Sequence, residues 1–301
     1  MNGKWKMENG KWGVGAAFTV VALLALSGCD NVPTEASNYT PEPVLYGYLT
    51  NGEPVSEIYL ERIWPMGSYY DPQLSGIRGA QMKIFSVGGG DTLHLTDDPN
   101  YRGRYIPAAG ESLTPRGKTR YRIEVTTPAH ENIWAETVVP DTFRRVEAYQ
   151  LMPDGTRRTV QDDDTLTRND PMLFFGWDGV DSAGGYQGLG VTLVPRDSLV
   201  PLDPDWTPED SIYAEDRTKG GFMVVREDQR QISLPWIIFS WQGRHRLELL
   251  AISRDYYEYL FSQMRVQQGL IEKAETNIHG GIGVFSAITK HVLYIVMKKV
   301  E

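Results

Sequence analysis

His130-Glu131 opens like the His-Glu-x-x-His helix of a zinc protease, where two histidines four residues apart hold the metal and the glutamate is the base. Position 134 is Trp134, and the surrounding residues alternate as a strand does, so both the second ligand and the helix are missing. His94, His245, His279 and His291 are scattered and read as ordinary surface or packed side chains. Two acidic runs could present oxygen ligands to calcium: Asp162-Asp163-Asp164, and Asp203, Asp205, Glu209 and Asp210. Neither has the alternating acidic spacing and the glycine of a calcium loop. No cofactor is therefore assigned, and bound calcium is kept as the alternative. Gly280-Gly281-x-Gly283 lacks the lysine of a phosphate loop and leads into a strand, so a close backbone passage is expected there. There is no Gly-x-Ser-x-Gly elbow, and no spacing singles out a pair of carboxylates for acid–base work. The chain is read as a non-enzyme, with neither catalytic nor metal-ligating residues.

Cys29 carries the clearest chemistry, and it is the only cysteine in 301 residues. Leu26-Ser27-Gly28-Cys29 resembles the lipobox of bacterial lipoproteins, whose cysteine becomes the lipid-bearing first residue of the mature chain. Lys4, Lys6 and Lys11 precede a 14-residue apolar run, residues 13–26. That run has signal-peptide length, whereas a spanning helix needs about 20 residues. Residues 1–28 read as a lipoprotein signal peptide and Cys29 as the lipidation site. Export to an oxidising compartment with a single thiol forbids an internal disulfide, and lipidation removes the lone reactive sulfur. Residues 29–42 then form a lipidated tether. The twelve residues 30–41 would span roughly 20 Å r.m.s. as a random chain and at most about 40 Å extended. Removing residues 1–28 takes away three lysines and one glutamate, which moves the formal net charge from −9 to −11. Such an acidic chain lacks the basic footprint of a nucleic-acid binder and gains nothing from anionic lipid headgroups.

The rest of the chain reads as short strands separated by Gly, Pro and Asn, the pattern of antiparallel β-sandwiches. Residues 43–141 are assigned to an N-terminal immunoglobulin-like sandwich and residues 142–301 to a C-terminal fibronectin-like one. In the first, Tyr121, Ile123 and Val125 share a face, and Gly88–90 with Asp91 predict a hairpin. Leu113 to Tyr121 resembles the corner where a tyrosine hydroxyl bonds back to upstream backbone. In the second, residues 173–177 and 186–194 resemble the tryptophan-strand, tyrosine-strand pair of a fibronectin sheet. Residues 195–220 read as an insertion, and residues 236–241, 245–252, 282–288 and 291–297 as strands. One helix is expected near residues 254–268, with Ser253 as N-cap, Gly269 as stop, and Tyr256, Leu260 and Met264 facing the second domain. Between strands lies Trp64-Pro65-Met66-Gly67-Ser68-Tyr69-Tyr70. Loop-borne aromatics suit binding surfaces, so Trp64, Tyr69 and Tyr70 are the candidate binding residues, with capping of the sandwich end as the plainer role.

Four segments in order resemble the Bacteroidota lipoprotein family of domain of unknown function 4249. They are Val44-Leu-Tyr-Gly-Tyr-Leu-Thr-Asn-Gly52; Gly79-Ala80 with Gly103-Arg-Tyr105 and Gly117-Lys-Thr-Arg-Tyr121; Asp255-Tyr-Tyr-Glu-Tyr-Leu260; and Asn277-Ile-His-Gly-Gly-Ile-Gly-Val-Phe285. The resemblance implies a lipid-anchored outer-membrane protein that accompanies TonB-dependent transporters in nutrient uptake, with the membrane face left open. It carries over no established activity. Together these readings give a membrane-tethered binding or accessory protein. An envelope-anchored hydrolase and a structural or adhesion module are the alternatives.

Overall fold

Period-two burial runs through most of the chain, and it is this alternation that builds the molecule. In β6 (Arg120–Thr126), Tyr121, Ile123 and Val125 are buried while their neighbours are not. In β7 (Asn132–Val138), Ile133 and Ala135 face the same interior. The computed structural model describes residues 41–64, 69, 71–178, 186–194, 200–202, 221–225, 229–271 and 273–300. The signal segment, Cys29, the tether as far as Thr40, and the insertion at 195–220 apart from residues 200–202 lie outside them.

The remaining strands, in order, are β1 (Pro43–Thr50), β2 (Ile58–Arg62), β3 (Gln81–Ser86), β4 (Thr92–Asp97), β5 (Arg104–Pro107), β8 (Arg145–Leu151), β9 (Arg157–Thr159) and β10 (Asp164–Thr167). They continue with β11 (Leu173–Asp178), β12 (Tyr186–Leu193), β13 (Gly221–Val225), β14 (Gln231–Leu234), β15 (Gly243–Ile252) and β16 (Ile282–Lys298). One helical turn, α1 (Pro72–Ser75), and one long helix, α2 (Arg254–Gln267), complete the elements used below. Among the described residues the fold is mainly β, in two sheets. The larger runs β13-β12-β15-β16-β1-β2-β5-β4-β3-β6-β7, with β10 added to β16, and does not close into a barrel. The smaller is β14-β11-β8-β9.

Two hydrophobic cores form. The first is built from β1–β7 but also takes Ile278, Phe285 and Ala287 from the far end of the chain. The second lies between the smaller sheet, through Phe175 and Trp177, and the larger one, through Leu189, Leu247 and Ile295. β16 belongs to both. Its first half pairs in parallel with β1, Val44 opposite Ile282 through Thr50 opposite Ile288, and its second half pairs with β15 and β10. The two cores therefore do not separate at one point in the sequence, and the expected strands 282–288 and 291–297 are a single 17-residue strand.

Several local expectations hold. The β3–β4 hairpin forms over Gly88–90, and the Tyr121 hydroxyl accepts the Arg116 N–H at 3.1 Å. Others are corrected. The tryptophan and tyrosine strands are not a pair: β11 joins the smaller sheet and β12 the larger. Residues 236–241 are not a strand, because Pro235 leads into a 3₁₀ turn, Trp236–Ile238, which leaves Ile237 exposed. The helix sits where expected, but Met264 is exposed, so Tyr256, Leu260 and Met264 are not its common buried face. Instead Tyr256 meets Tyr48 edge-on at 5.3 Å and Tyr259 meets Tyr46 at 6.4 Å, which lays α2 over β1. Asp255 accepts the Thr137 hydroxyl at 3.0 Å, and Ser262 is buried on the same side. These two polar contacts rotate the buried face away from the apolar one that spacing alone suggests. The Ser253 hydroxyl accepts the Ala287 N–H at 3.2 Å rather than capping the helix.

Candidate functional site

The residues with chemical potential are mostly consumed by the architecture. His130 sits in a turn with φ 63°, and Glu131 beside it accepts two bonds from Arg62, at 3.0 and 2.7 Å, and one from Thr127 at 2.7 Å. The Arg62 guanidinium holds the Glu131 carboxyl below its ordinary value of 4.5. A carboxyl lowered by folding contributes stability above its unfolded value and loses it as pH falls through the folded one. Glu131→Gln is expected to cost about 1–3 kcal/mol at neutral pH. The gap from wild type should close in acid, which urea titrations at the two pH values would measure.

Trp134, standing where a zinc site needs histidine, stacks on His279 at 3.8 Å with the rings 10° apart, and the Arg122 guanidinium lies 4.2 Å from its ring centre. Asp162 accepts the Tyr294 N–H, Asp163 pairs with Arg244 at 2.6 Å, and Asp164 accepts the Gln161 N–H. Their carboxylates thus fasten a turn to β15 and β16. Among the described residues no group of three or more His, Cys, Asp or Glu side chains converges. The acidic residues 203, 205, 209 and 210 lie outside the described residues.

Gly280, Gly281 and Gly283 make the close backbone passage the sequence suggests. A Cβ on Gly280 would stand 2.3 Å from the Asn132 carbonyl oxygen, and on Gly281 2.6 Å from that of Pro43. On Gly283, at φ +109°, it would stand 2.2 Å from the Leu45 carbonyl oxygen. The segment runs between β7 and β1, and no side chain fits. Asn277 locks it from the side: its amide donates to the carbonyls of Glu136, at 3.1 Å, and Phe285, at 2.7 Å, and accepts the Phe285 N–H at 3.1 Å.

The expected lipidation site Cys29 and the candidate binding residue Tyr70 lie outside the described residues. Trp64 is half-buried and Tyr69 is 93% exposed. Their loop is pinned at its base, where Glu61 and Gly76 bridge and the Ile77 N–H bonds to Leu60 O at 3.0 Å. Next to it the Ile63 N–H bonds to Glu42 O at 3.1 Å, and Arg62 donates to Pro41 O at 2.9 Å.

A second surface has little signal in the sequence. The outer face of the smaller sheet holds an open cleft of about 250 Å³ with Gly176 as part of its floor. Tyr149 is stacked on Phe174 at 5.5 Å, with the Arg157 guanidinium 4.4 Å from its ring centre, and its hydroxyl donates to Gln231 at 2.8 Å. Arg145, Arg230, Glu147, Trp177 and Asp178 complete the lining. Arg145 is 3.6 Å from Glu147 with its side chain 70% exposed. Because Glu147 is opposite Gly176 and Asp178 opposite Arg145, the two carboxylates are diagonal neighbours on one face. A companion cleft of about 320 Å³ shares Arg145 and Glu147 and reaches His291, whose imidazole burial pushes below its ordinary pKa. The one cue in the sequence is Gly176, a glycine interrupting an otherwise bulky strand.

Fold and surfaces together define a mainly β protein of two sheets and one long helix, with an arginine-rimmed cleft on its smaller sheet. The chain belongs to the family described as domain of unknown function (DUF4249), whose model matches residues 30–292. No curated protein matches the chain, so no relative lends it an activity.

Proposed function

We propose that the protein is a lipid-anchored binding or accessory component of a bacterial outer membrane, held by Cys29 and serving a TonB-dependent transporter in nutrient uptake, in the manner the Bacteroidota resemblance implies. In this reading each core is an immunoglobulin- or fibronectin-like sandwich used as a rigid support, a view favoured in the first by the Tyr121–Arg116 corner. The observation that carries the binding role is the cleft of the smaller sheet. Arg145 and Arg157 stand over Tyr149, which is itself buried, and with the Gln231 amide they present cations and an amide suited to a polar or anionic partner. The test is recovery of partners from native membranes, identified by mass spectrometry, with wild type and with Arg145→Glu/Arg157→Glu. Loss of anchoring arginines typically costs about 2 kcal/mol or more, roughly a thirty-fold loss of affinity. A folded variant that recovers the transporter as well as wild type would remove the cleft from the interface.

The second reading, an envelope hydrolase, is favoured by Glu147 and Asp178 in that same cleft. Diagonal cross-strand residues have their backbones about 7–8 Å apart, a spacing from which two carboxyl groups can reach the roughly 5–10 Å separation used on glycosidic bonds. Envelope-polymer hydrolysis lost in Glu147→Gln or Asp178→Asn, with partner recovery unchanged, would favour this reading over the first.

A further inference from the structure

Strand β8 is paired along the whole of one edge but only part of the other. On the first side it meets β11 from Arg145, opposite Asp178, to Gln150, opposite Leu173. On the second, β9 pairs only with Tyr149, Gln150 and Leu151. One further bond, from the Val160 N–H to Ala148 O at 2.8 Å, ends that ladder, and the chain turns away toward β10. The direction of the next main-chain groups follows from the register. Val146 is opposite Trp177, whose N–H is turned to β14 and bonds to Arg230 O at 3.0 Å. Residues opposite each other in an antiparallel pair exchange both ladder bonds or neither. The N–H and C=O of Val146 therefore point away from β11, into the line of β9, and none of the described residues bonds to them.

These groups face the cleft of about 320 Å³, which Arg145, Val146, Glu147 and Ala148 all line. Consecutive residues of a strand alternate faces, so a cleft that touches four in a row lies along the strand's edge. Its floor is apolar, with the buried Phe175 and, from β16, Leu293. An apolar floor with a few polar groups at the wall is the usual anatomy of a small-ligand site.

We propose that this cleft binds a short free peptide as an added strand, in line with β9 and antiparallel to β8. The middle residue of the peptide donates its N–H to the Val146 carbonyl and accepts the Val146 N–H. Directly paired residues share a face, so its side chain points inward with Val146, toward the second core. The flanking residues then fall opposite Glu147 and Arg145. Antiparallel to β8, the ammonium end of the peptide meets Glu147 and its carboxylate end meets Arg145, so the order of the charges fits the direction of the strand. Arg145 and Glu147 are 3.6 Å apart, beyond hydrogen-bond length, and Arg145 is 70% exposed, so each can turn to a ligand. Neighbouring carboxylates do not compete: Asp162 accepts the Tyr294 N–H, Asp163 pairs with Arg244, and Asp178 lies on the β11 side of β8. A lipid tail would cover the same floor but leave the N–H and C=O of Val146 unpaired. The site needs neither the membrane anchor nor a transporter partner, so it goes beyond the function proposed above.

The test is calorimetric titration of the full protein in detergent with the tripeptide alanyl-leucyl-alanine. Saturable binding is expected, with slowed hydrogen exchange at the Val146 amide. N-methylation of the leucine removes the donor to Val146 and should weaken binding roughly ten-fold. Val146→Pro deletes the edge N–H without touching a β8–β11 bond and should do the same, whereas Val146→Ala keeps that N–H and should still bind. If Val146→Pro fails to fold, the methylated peptide on wild type decides. Equal binding of methylated and unmethylated peptides would overturn the strand pairing, and no saturable binding would overturn the site. Binding of decanoate but not of the tripeptide would assign the cleft to apolar chains and overturn the proposal. Equal binding of a tripeptide capped at both termini would point to an internal segment of a partner protein and overturn the free-peptide assignment.

Discussion

Gly283→Ala is expected to unfold or nearly unfold the protein. A Cβ at this position would lie 2.2 Å from the Leu45 carbonyl oxygen, and the backbone φ of +109° is one that side-chain-bearing residues rarely adopt. Neither partner can yield, because Leu45 and Gly283 are opposite each other in the parallel β1–β16 pairing and Leu45 is fully buried. Clash and backbone strain together should exceed about 4 kcal/mol, a large share of the 5–15 kcal/mol that typically holds a domain folded. Gly52→Ala is the control. Its φ is +76°, but nothing lies within 4 Å of the added methyl, so only the left-handed backbone cost of about 1–2 kcal/mol applies. Because β16 contributes Phe285 to the first core and Ile295 to the second, loss of the β1 pairing should destabilise both. Urea unfolding followed by tryptophan fluorescence and by far-UV dichroism should then show one coincident transition at a much lower midpoint. A Gly283→Ala midpoint close to that of Gly52→Ala would show that the β1–β16 contact is not what holds the cores together.

That contact also marks where sequence reasoning stops. Local signals were readable: the alternation of Tyr121, Ile123 and Val125, the glycine hairpin at 88–90, and the helix bounded by Ser253 and Gly269. Each depends on neighbours a few residues apart. The β1–β16 pairing joins positions more than two hundred residues apart, and nothing in either strand names its partner. The glycines of 280–283 could be read as a close approach, yet the approaching chains, β7 and β1, are identified only by the fold. The apolar run Trp236 to Phe239 carries strand-forming residues, but Pro235 and the Trp236 side chain, which donates to Asp170 O at 2.8 Å, stabilise a 3₁₀ turn instead. The cleft of the smaller sheet was unreadable for a related reason. Its walls come from Arg145 on β8, Arg157 on β9 and Gln231 beside Arg230 on β14, three strands brought together only by tertiary pairing.

Cys29→Ser is expected to abolish stable membrane attachment while leaving the folded body unchanged. The apolar run before Cys29 is 14 residues long, short of the roughly 20 needed to span a bilayer. Among the described residues no helix is long and apolar enough to cross. The mature charge of −11, from −9 less three lysines and one glutamate, offers no electrostatic hold on anionic lipid. In the proposed reading the hold is the thioether lipid on Cys29. Each buried methylene contributes about 0.8 kcal/mol, so a single myristoyl chain binds only marginally while two or three chains hold essentially permanently. In fractionated cells the serine variant should therefore leave the membrane pellet or accumulate as unprocessed precursor, with the N-terminal mass distinguishing the two. The family match starts at residue 30 and the first core at Leu45, so the melting temperature of the purified body should be that of wild type. A variant that is processed and still pellets with membranes as wild type does would show that another part of the chain holds the bilayer.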